Sequence, residues 1–340
     1  AKTLADKINS ADCVHGTNFT ETIRLDIHSN LVDVLAQVKP NVVVHTSGPF
    51  QQQGYEVALA CIEHACHYID LADGRDFVAG ICTLHDAAKA NGVLVISGAS
   101  SVPCLTAALL DDYHAKFGQL ETIDYGITTA QQTARGLATS AAILGYTGKA
   151  FETLVDGQAT KVYGWQKLRT RRFKQLGRRL LGSCDVPDLA LFPTRYPQLK
   201  TIQFCAGLEI PLIHFTLWML SWLVRARLIS SLRPLAPLML WIASLFDWMG
   251  TSSSGFFLEL SGKDRNGADK KSTFELTARD GDGAYIPCIP AILLVNKLAS
   301  AQRNGTAFGT SSGAYPCVGF ISKDEYLAAL RDLHISWEHW

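Results

Sequence analysis

The sequence lacks the short signatures that identify several large enzyme classes. It contains no G-x-G-x-x-G turn, no phosphate loop of Walker spacing, no HExxH and no Ser-His-Asp signature. Its nine cysteines show neither CxxC nor zinc-like spacing, so we expect buried free thiols in a reducing cytosol. These absences argue against a hydrolase, and no metal site is predicted.

The chain also lacks a net charge. Lys plus Arg and Asp plus Glu each number 31 in 340 residues, so nothing indicates steering toward nucleic acid. One stretch, 161–179, contains basic residues and no acidic one. A solvated basic loop or helix is the expectation there, and contact with an anionic lipid or a phosphorylated ligand is the alternative.

No apolar run is long enough to span a bilayer, although 48% of the residues are hydrophobic and the mean hydropathy is +0.10. Segment 208–249 is the most apolar and holds four of the seven tryptophans. Its apolar runs, 210–224 and 234–246, fall short of the ~20 residues that a spanning helix needs, and arginines interrupt them. We expect burial in the second domain or against a partner subunit, and we also expect a homodimer. Docking on a membrane surface is the alternative.

The region 41–70 predicts a ligand-binding unit. An apolar run at 42–44 stops at the turn 46–50, and a helical pattern and a short strand at 68–71 follow. Strand, tight turn, helix and parallel strand form a βαβ crossover. Ligands of such sheets gather at the carboxyl ends of the strands. Gly48 lets the backbone approach closely there, and Pro49 stiffens the turn.

The alternation of helix and strand continues beyond this unit. Residues 84–92 predict a helix that Gly92 ends, and 93–96 form a buried-strand run that leads into the turn 97–103. A helix at 104–116 and a strand near 122–127 come next. We therefore expect two turns, after neighbouring strands of one sheet, to lie at the same edge.

Region 41–70 resembles the later half of the nicotinamide-binding domain of the saccharopine dehydrogenase-like (saccharopine reductase) oxidoreductases. The family pattern there reads roughly aGPf, a helix with aCi, then hYvDl, and this chain has SGPF, ACI and HYIDL in the same order. The resemblance continues through 135–139, which looks like the family's rGlaT, and through 280–287. It is strong over 37–150 and looser over 151–340.

The resemblance implies an α/β fold, with a doubly wound Rossmann-type parallel sheet and a second α+β domain. The family opens with a βαβ unit that carries a GxGxxG turn, and roughly 30–40 residues of that unit are missing here. Either the sequence is N-terminally incomplete or the pyrophosphate cradle has been lost, and we favour the first. We divide the chain into a partial NAD(P)-binding domain at 1–128, a substrate and dimerisation domain at 129–290, and C-terminal elements at 290–340 that pack back on the first domain.

The resemblance also implies the site. It places both turns against the nicotinamide half of NADP or NAD, which gives the cofactor-binding candidates Thr46, Ser47, Gly48, Pro49, Phe50, Asp70, Ser97, Gly98 and Pro103. Hydride transfer to a carbonyl, imine or alkene also requires a proton source. The weak candidates are Tyr68, Asp70, Arg135 and Tyr285, with His45 as a further donor. Each also has a structural interpretation, such as a core histidine for His45 or a helix cap for Asp70.

We therefore predict a cytoplasmic NAD(P)-dependent oxidoreductase that acts on a small or lipid-linked carbonyl, imine or enoyl substrate. Peripheral membrane contact, if present, would involve 208–249. The alternative is a non-catalytic membrane-peripheral or scaffolding protein that retains the fold without using the cofactor.

Overall fold

The computed structural model describes residues 2–9, 20–133, 136–306 and 308–340. The strands are β1 Val42–His45, β2 His67–Asp70, β3 Leu94–Ser97, β4 Gln119–Thr129, β5 Ala150–Val155, β6 Gln158–Tyr163, β7 Arg169–Phe173, β8 Gly177–Ser183, β9 Thr201–Leu208, β10 Ser254–Lys263, β11 Asp269–Ala278, β12 Gly313–Pro316 and β13 Ile335–His339. The helices are α1 Lys2–Asn9, α2 Leu31–Val38, α3 Glu56–Glu63, α4 Arg75–Gly80, α5 His85–Ala90, α6 Thr106–His114, α7 Leu137–Tyr146, α8 Asp188–Arg195, α9 Pro211–Arg225, α10 Ala236–Ser244, α11 Ile289–Asn304 and α12 Lys323–Ala328.

The first layer is a parallel sheet in the order β1-β2-β3-β12. Its strands are apolar on both faces, as a sheet covered by helices requires. Tyr68 and Val95 pack in a cluster with α3, whereas Ile69 and Ile96 point into the main core. The predicted βαβ unit is therefore present, and the α/β Rossmann-type fold is confirmed.

The second sheet is larger and mixed, in the order β13-β11-β10-β4-β9-β8-β7. Strands β10 and β11 form a hairpin, and its connection contains Gly267 at a φ of 83°. The strand expected near 122–127 belongs to this sheet, as β4, and not to the parallel layer. Its partners β9 and β10 follow it by many residues in the chain, so local pattern could not assign it.

One hydrophobic core joins the two layers. It includes side chains from β3, α6, β4, β9 and α11. One helical stretch, 282–304, is long and apolar enough by composition to cross a membrane, yet α11 within it buries Leu294 and Leu298 in this core. All cysteines in the described part of the chain are free.

The basic stretch is neither a loop nor a helix, which corrects that expectation. It includes the hairpin of β7 and β8, whose basic residues meet acidic residues from other parts of the chain, including β4 and β10. The ion pairs are Arg169 with Asp124, Arg171 with Glu259, Lys174 with Glu338 and Arg179 with Glu209. These pairs offset much of the local positive charge.

Segment 208–249 forms α9, α10 and their connection. Burial of this segment within the second domain, one form of the default expectation, is wrong for much of its apolar surface. More than half of the exposed large hydrophobic residues in the described ranges lie between Leu212 and Met249.

Candidate functional site

The carboxyl ends of β1, β2 and β3 lie at one edge of the parallel sheet, and Asp70 ties two of the following turns together. Its Oδ1 accepts hydrogen bonds from the backbone N–H of Ala72 at 2.9 Å and of Gly98 at 2.8 Å. The Ser97 hydroxyl donates to the same oxygen at 3.0 Å. The Asp70 carbonyl accepts from the Ala99 N–H at 2.7 Å. Asp70 is thus a tie between turns, and α4 begins only at Arg75.

Asp70 is fully buried, and this burial has the largest effect on its pKa. Removal from water raises the pKa of the carboxyl group to about 6, although the hydrogen bonds from Gly98 and Ala72 favour the charged form. A buried carboxyl with this pKa changes its charge near neutral pH. The site therefore contains one group whose ionisation is coupled to the geometry of the turns after β2 and β3.

Glycine is required at position 98. Gly98 has a φ of 79°, and a Cβ atom there would lie 2.9 Å from Cγ1 of Val78 and 3.0 Å from Cδ of Pro103. In the first turn, the Phe50 ring packs 5.3 Å from Phe77. Both turns are therefore fixed by close packing beneath them.

The predicted cofactor residues differ in accessibility. Thr46 and Ser47 are exposed and Gly48 and Pro49 are half-buried, so this turn forms the accessible rim. The others are buried and support the edge from within: Phe50, Asp70, Ser97, Gly98 and Pro103. All nine lie at or behind the carboxyl edge of the same sheet.

Of the predicted proton sources, Tyr68 is buried and shares a 2.9 Å hydrogen bond with Nδ1 of His45. Burial raises the pKa of Tyr68 and lowers the pKa of His45, so both are neutral at pH 7. Nε2 of His45 has no hydrogen-bond partner among the residues that the structure describes. Tyr285 is 57% exposed, and Arg135 lies outside the described residues.

A cavity of about 710 Å³ adjoins this edge. Its volume is within the usual range of ligand sites, ~300–1,000 Å³. Ser101 and Leu105, in the turn and helix start after β3, form one end, and the remaining walls come from the end of β4, from α7, α9 and α10, and from 283–287. The lining is mostly apolar. No local sequence pattern marks this cavity, because its walls come from segments far apart in the chain.

Two polar groups at the cavity stand out. The hydroxyl of Thr128 is buried without a hydrogen-bond partner among the described residues. Gln131 holds the α10 wall: its Nε2 donates to the carbonyl of Ala243 at 2.7 Å and to Asp247 at 2.8 Å. The wall is therefore anchored to the end of β4 by specific hydrogen bonds.

A second cluster of polar side chains, half-buried to buried, lies around Arg75. Arg75 pairs with Asp185 and donates to the Glu152 carbonyl at 2.7 Å. Burial raises the pKa of nearby Asp188 to about 8. The Tyr125 hydroxyl is its polar neighbour, but neither carboxylate oxygen of Asp188 has a hydrogen bond of normal geometry within the described ranges. No sequence motif marks this group.

No protein-family model matches the chain, and neither does any curated protein sequence. Among solved structures, apo saccharopine dehydrogenase (L-Glu forming) from Saccharomyces cerevisiae aligns with a TM-score of 0.64 at 13% identity, over 100% of this chain and 92% of that one. Amine dehydrogenase from Mycobacterium smegmatis aligns over 87% of this chain and 78% of that one at 10% identity. Its TM-score of 0.37 is too low to bear on the fold. The chain thus has the saccharopine dehydrogenase-like fold.

Proposed function

We propose that the protein is an NAD(P)-dependent oxidoreductase whose substrate carries an apolar chain. The cavity supports this proposal most directly, because it extends from the second sheet to the turn after β3. In parallel sheets, ligands bind outside the carboxyl ends of the strands. An apolar substrate in the cavity would place its reacting end beside a cofactor bound at the carboxyl edge of the parallel sheet.

The residues at the edge fit the nicotinamide half of the cofactor. Thr46 and Ser47 offer accessible hydroxyls, and Nε2 of His45 is a buried polar atom that still lacks a partner among the described residues. Buried polar atoms normally have partners, so a polar ligand group is expected here. When bound, the nicotinamide supplies or accepts the hydride.

The chain's own residues would bind and orient the substrate. The apolar walls from α7, α9 and α10 exclude water and hold a hydrocarbon chain. The hydroxyl of Thr128, which has no partner among the described residues, provides a hydrogen-bond donor for a carbonyl oxygen at the cavity lining. A carbonyl, imine or enoyl group conjugated to a lipid chain therefore suits the cavity better than a small charged metabolite.

Thermal unfolding with NADPH and with NADH tests the cofactor. A ligand at 100 times its dissociation constant stabilises the folded state by ~2.7 kcal/mol. Ser47→Phe should abolish that stabilisation, because the larger side chain occupies the rim. Asn91→Phe is the matched control, since Asn91 is exposed in the turn that precedes β3, at the amino edge. An equal loss of cofactor stabilisation in both variants would contradict nicotinamide binding at the carboxyl edge.

Displacement of a fluorescent long-chain fatty acid tests the cavity. Ser140 lines the cavity on α7, whereas Ala138 on the same helix is exposed and does not. Ser140→Phe should weaken probe binding at least ~10-fold, whereas Ala138→Phe should not. Probe binding without any effect of either nicotinamide would support the alternative, a non-catalytic protein that retains the fold.

A further inference from the structure

Helix α9 has its polarity inverted relative to an ordinary surface helix. Its inward positions, at helical spacing, include the polar residues His214 and Ser221. His214 accepts a hydrogen bond from the Leu208 N–H at 3.3 Å, and Ser221 donates to the Trp218 carbonyl at 2.6 Å. Its exposed positions are mainly apolar: Leu212, Phe215, Met219, Trp222 and Leu223. A helix normally turns such side chains toward the core.

Helix α10 and its flanks extend this surface. Trp241 is 62% exposed and Trp248 is 80% exposed. The other exposed apolar side chains here are Leu228, Leu235, Leu238, Ile242, Leu245 and Met249. We call the exposed apolar side chains from Leu212 to Met249 the apolar face. Contiguous exposed apolar surface of this kind marks a binding site for a partner or a membrane.

The positive charge of the same segment indicates which partner binds the apolar face. Arg225, Arg227 and Arg233 lie within it, and the sequence from 210 to 246 contains no Asp or Glu. Arg225 stacks on Trp222, with its guanidinium carbon 4.8 Å from the ring centroid. Tryptophan and arginine together are typical of surfaces that bind at the level of anionic lipid headgroups.

A second copy of the chain fits this face less well. In a twofold dimer the same patch meets itself, so the arginines of both copies would approach each other. The segment provides few countercharges, because Asp247 already accepts a hydrogen bond from Gln131. Lipid phosphates provide negative charge, and acyl chains cover the apolar side chains.

The cavity opens on the apolar face. Leu212 and Ile242 line the cavity and are also exposed, at 58% and 44%. Helices α9 and α10 thus form both the outer surface and the cavity wall. A chain leaving a bilayer could enter the cavity between them without crossing water.

We propose that the apolar face docks on the surface of an anionic phospholipid membrane, so that α9 and α10 lie in its interface. Docking requires neither the cofactor nor hydride transfer. Membrane docking can therefore be tested independently of the proposed oxidoreductase activity.

Co-sedimentation of the whole chain with vesicles tests the proposal. Vesicles of phosphatidylcholine with phosphatidylglycerol should bind the protein, and pure phosphatidylcholine should bind it at least ~10-fold more weakly. Trp241→Ser with Trp248→Ser should reduce binding to the anionic vesicles at least ~10-fold. Both side chains are mostly exposed, so the variant should unfold at the same temperature as the parent.

Two controls make the result specific. Trp340 is 51% exposed and lies outside the apolar face, so Trp340→Ser should leave binding unchanged. Arg227→Glu should weaken binding, and Arg172→Glu on the basic hairpin should not. No binding to either vesicle would overturn the proposal. So would a larger loss from Arg172→Glu than from Arg227→Glu, or a dimer that the double tryptophan variant converts to monomer.

Discussion

Replacing Asp70 with asparagine separates the charge of this residue from its role as a hydrogen-bond acceptor. Asparagine retains an oxygen that can accept from Gly98 and Ala72, but it cannot ionise. The wild-type carboxyl is neutral in both folded and unfolded chains at low pH. As the pH rises past 3.8 the unfolded chain ionises, whereas the folded chain keeps its proton until about pH 6.

The pH dependence follows from these two pKa values. Because the folded pKa is raised, the contribution of Asp70 to stability is greatest below 3.8 and falls as the pH rises to about 6. Over the whole pH range, the free energy of unfolding loses about 3 kcal/mol through Asp70, at ~1.4 kcal/mol per pKa unit. About 2 kcal/mol of this loss occurs between about pH 4.5 and 7.

Urea unfolding of wild type and Asp70→Asn at those two pH values measures this quantity. The stability of wild type relative to the variant should fall by about 2 kcal/mol on going to the higher pH. The titration of all other groups cancels in this comparison. Asp332→Asn, at an exposed position, should show a change within ~0.5 kcal/mol. A flat or opposite difference for Asp70→Asn would refute a buried carboxyl of raised pKa.

Two further predictions concern buried groups near the site. Burial raises the pKa of Asp188 to about 8, so the stability of wild type relative to Asp188→Asn should fall by about 4 kcal/mol between about pH 5 and 8. The same unfolding assay measures it, and no change with pH would contradict the assignment. Gly98→Ala should destabilise the chain by ~1–3 kcal/mol more than Gly92→Ala, because both positions have positive φ but only position 98 is crowded. Equal melting temperatures for the two variants would show that the turn can relax.

The sequence predicted the local elements of the site well. The run 42–50 and the segment ending at Asp70 contained the strand, turn and strand that the structure shows as β1 and β2. Helix α12 begins with a capping box at Ser322 and Glu325, in which both reciprocal hydrogen bonds are formed. These features depend on contacts within a few residues, so the sequence contains all the information they need.

Partnerships between distant segments could not be predicted in the same way. β12 pairs with β3, and β4 joins the second sheet, although their local patterns do not indicate which strand each one pairs with. The basic hairpin of β7 and β8 was expected as a loop or helix because its acidic partners are distant in sequence. Pairing of this kind depends on the whole fold.

The sequence alone determined that a parallel βαβ layer exists, that the turns 46–50 and 97–103 follow two of its strands, and that 208–249 is unusually apolar. Those strands, β1 and β3, were expected to be neighbours, but β2 lies between them. Tertiary structure alone decided that Asp70 joins the turns after β2 and β3, that a cavity lies beside the turn after β3 and that much of the apolar segment faces outward. The physical reason is the range of the interactions: helical and strand periodicity are local, whereas cavities, buried charges and exposed faces arise where segments distant in sequence meet or fail to meet.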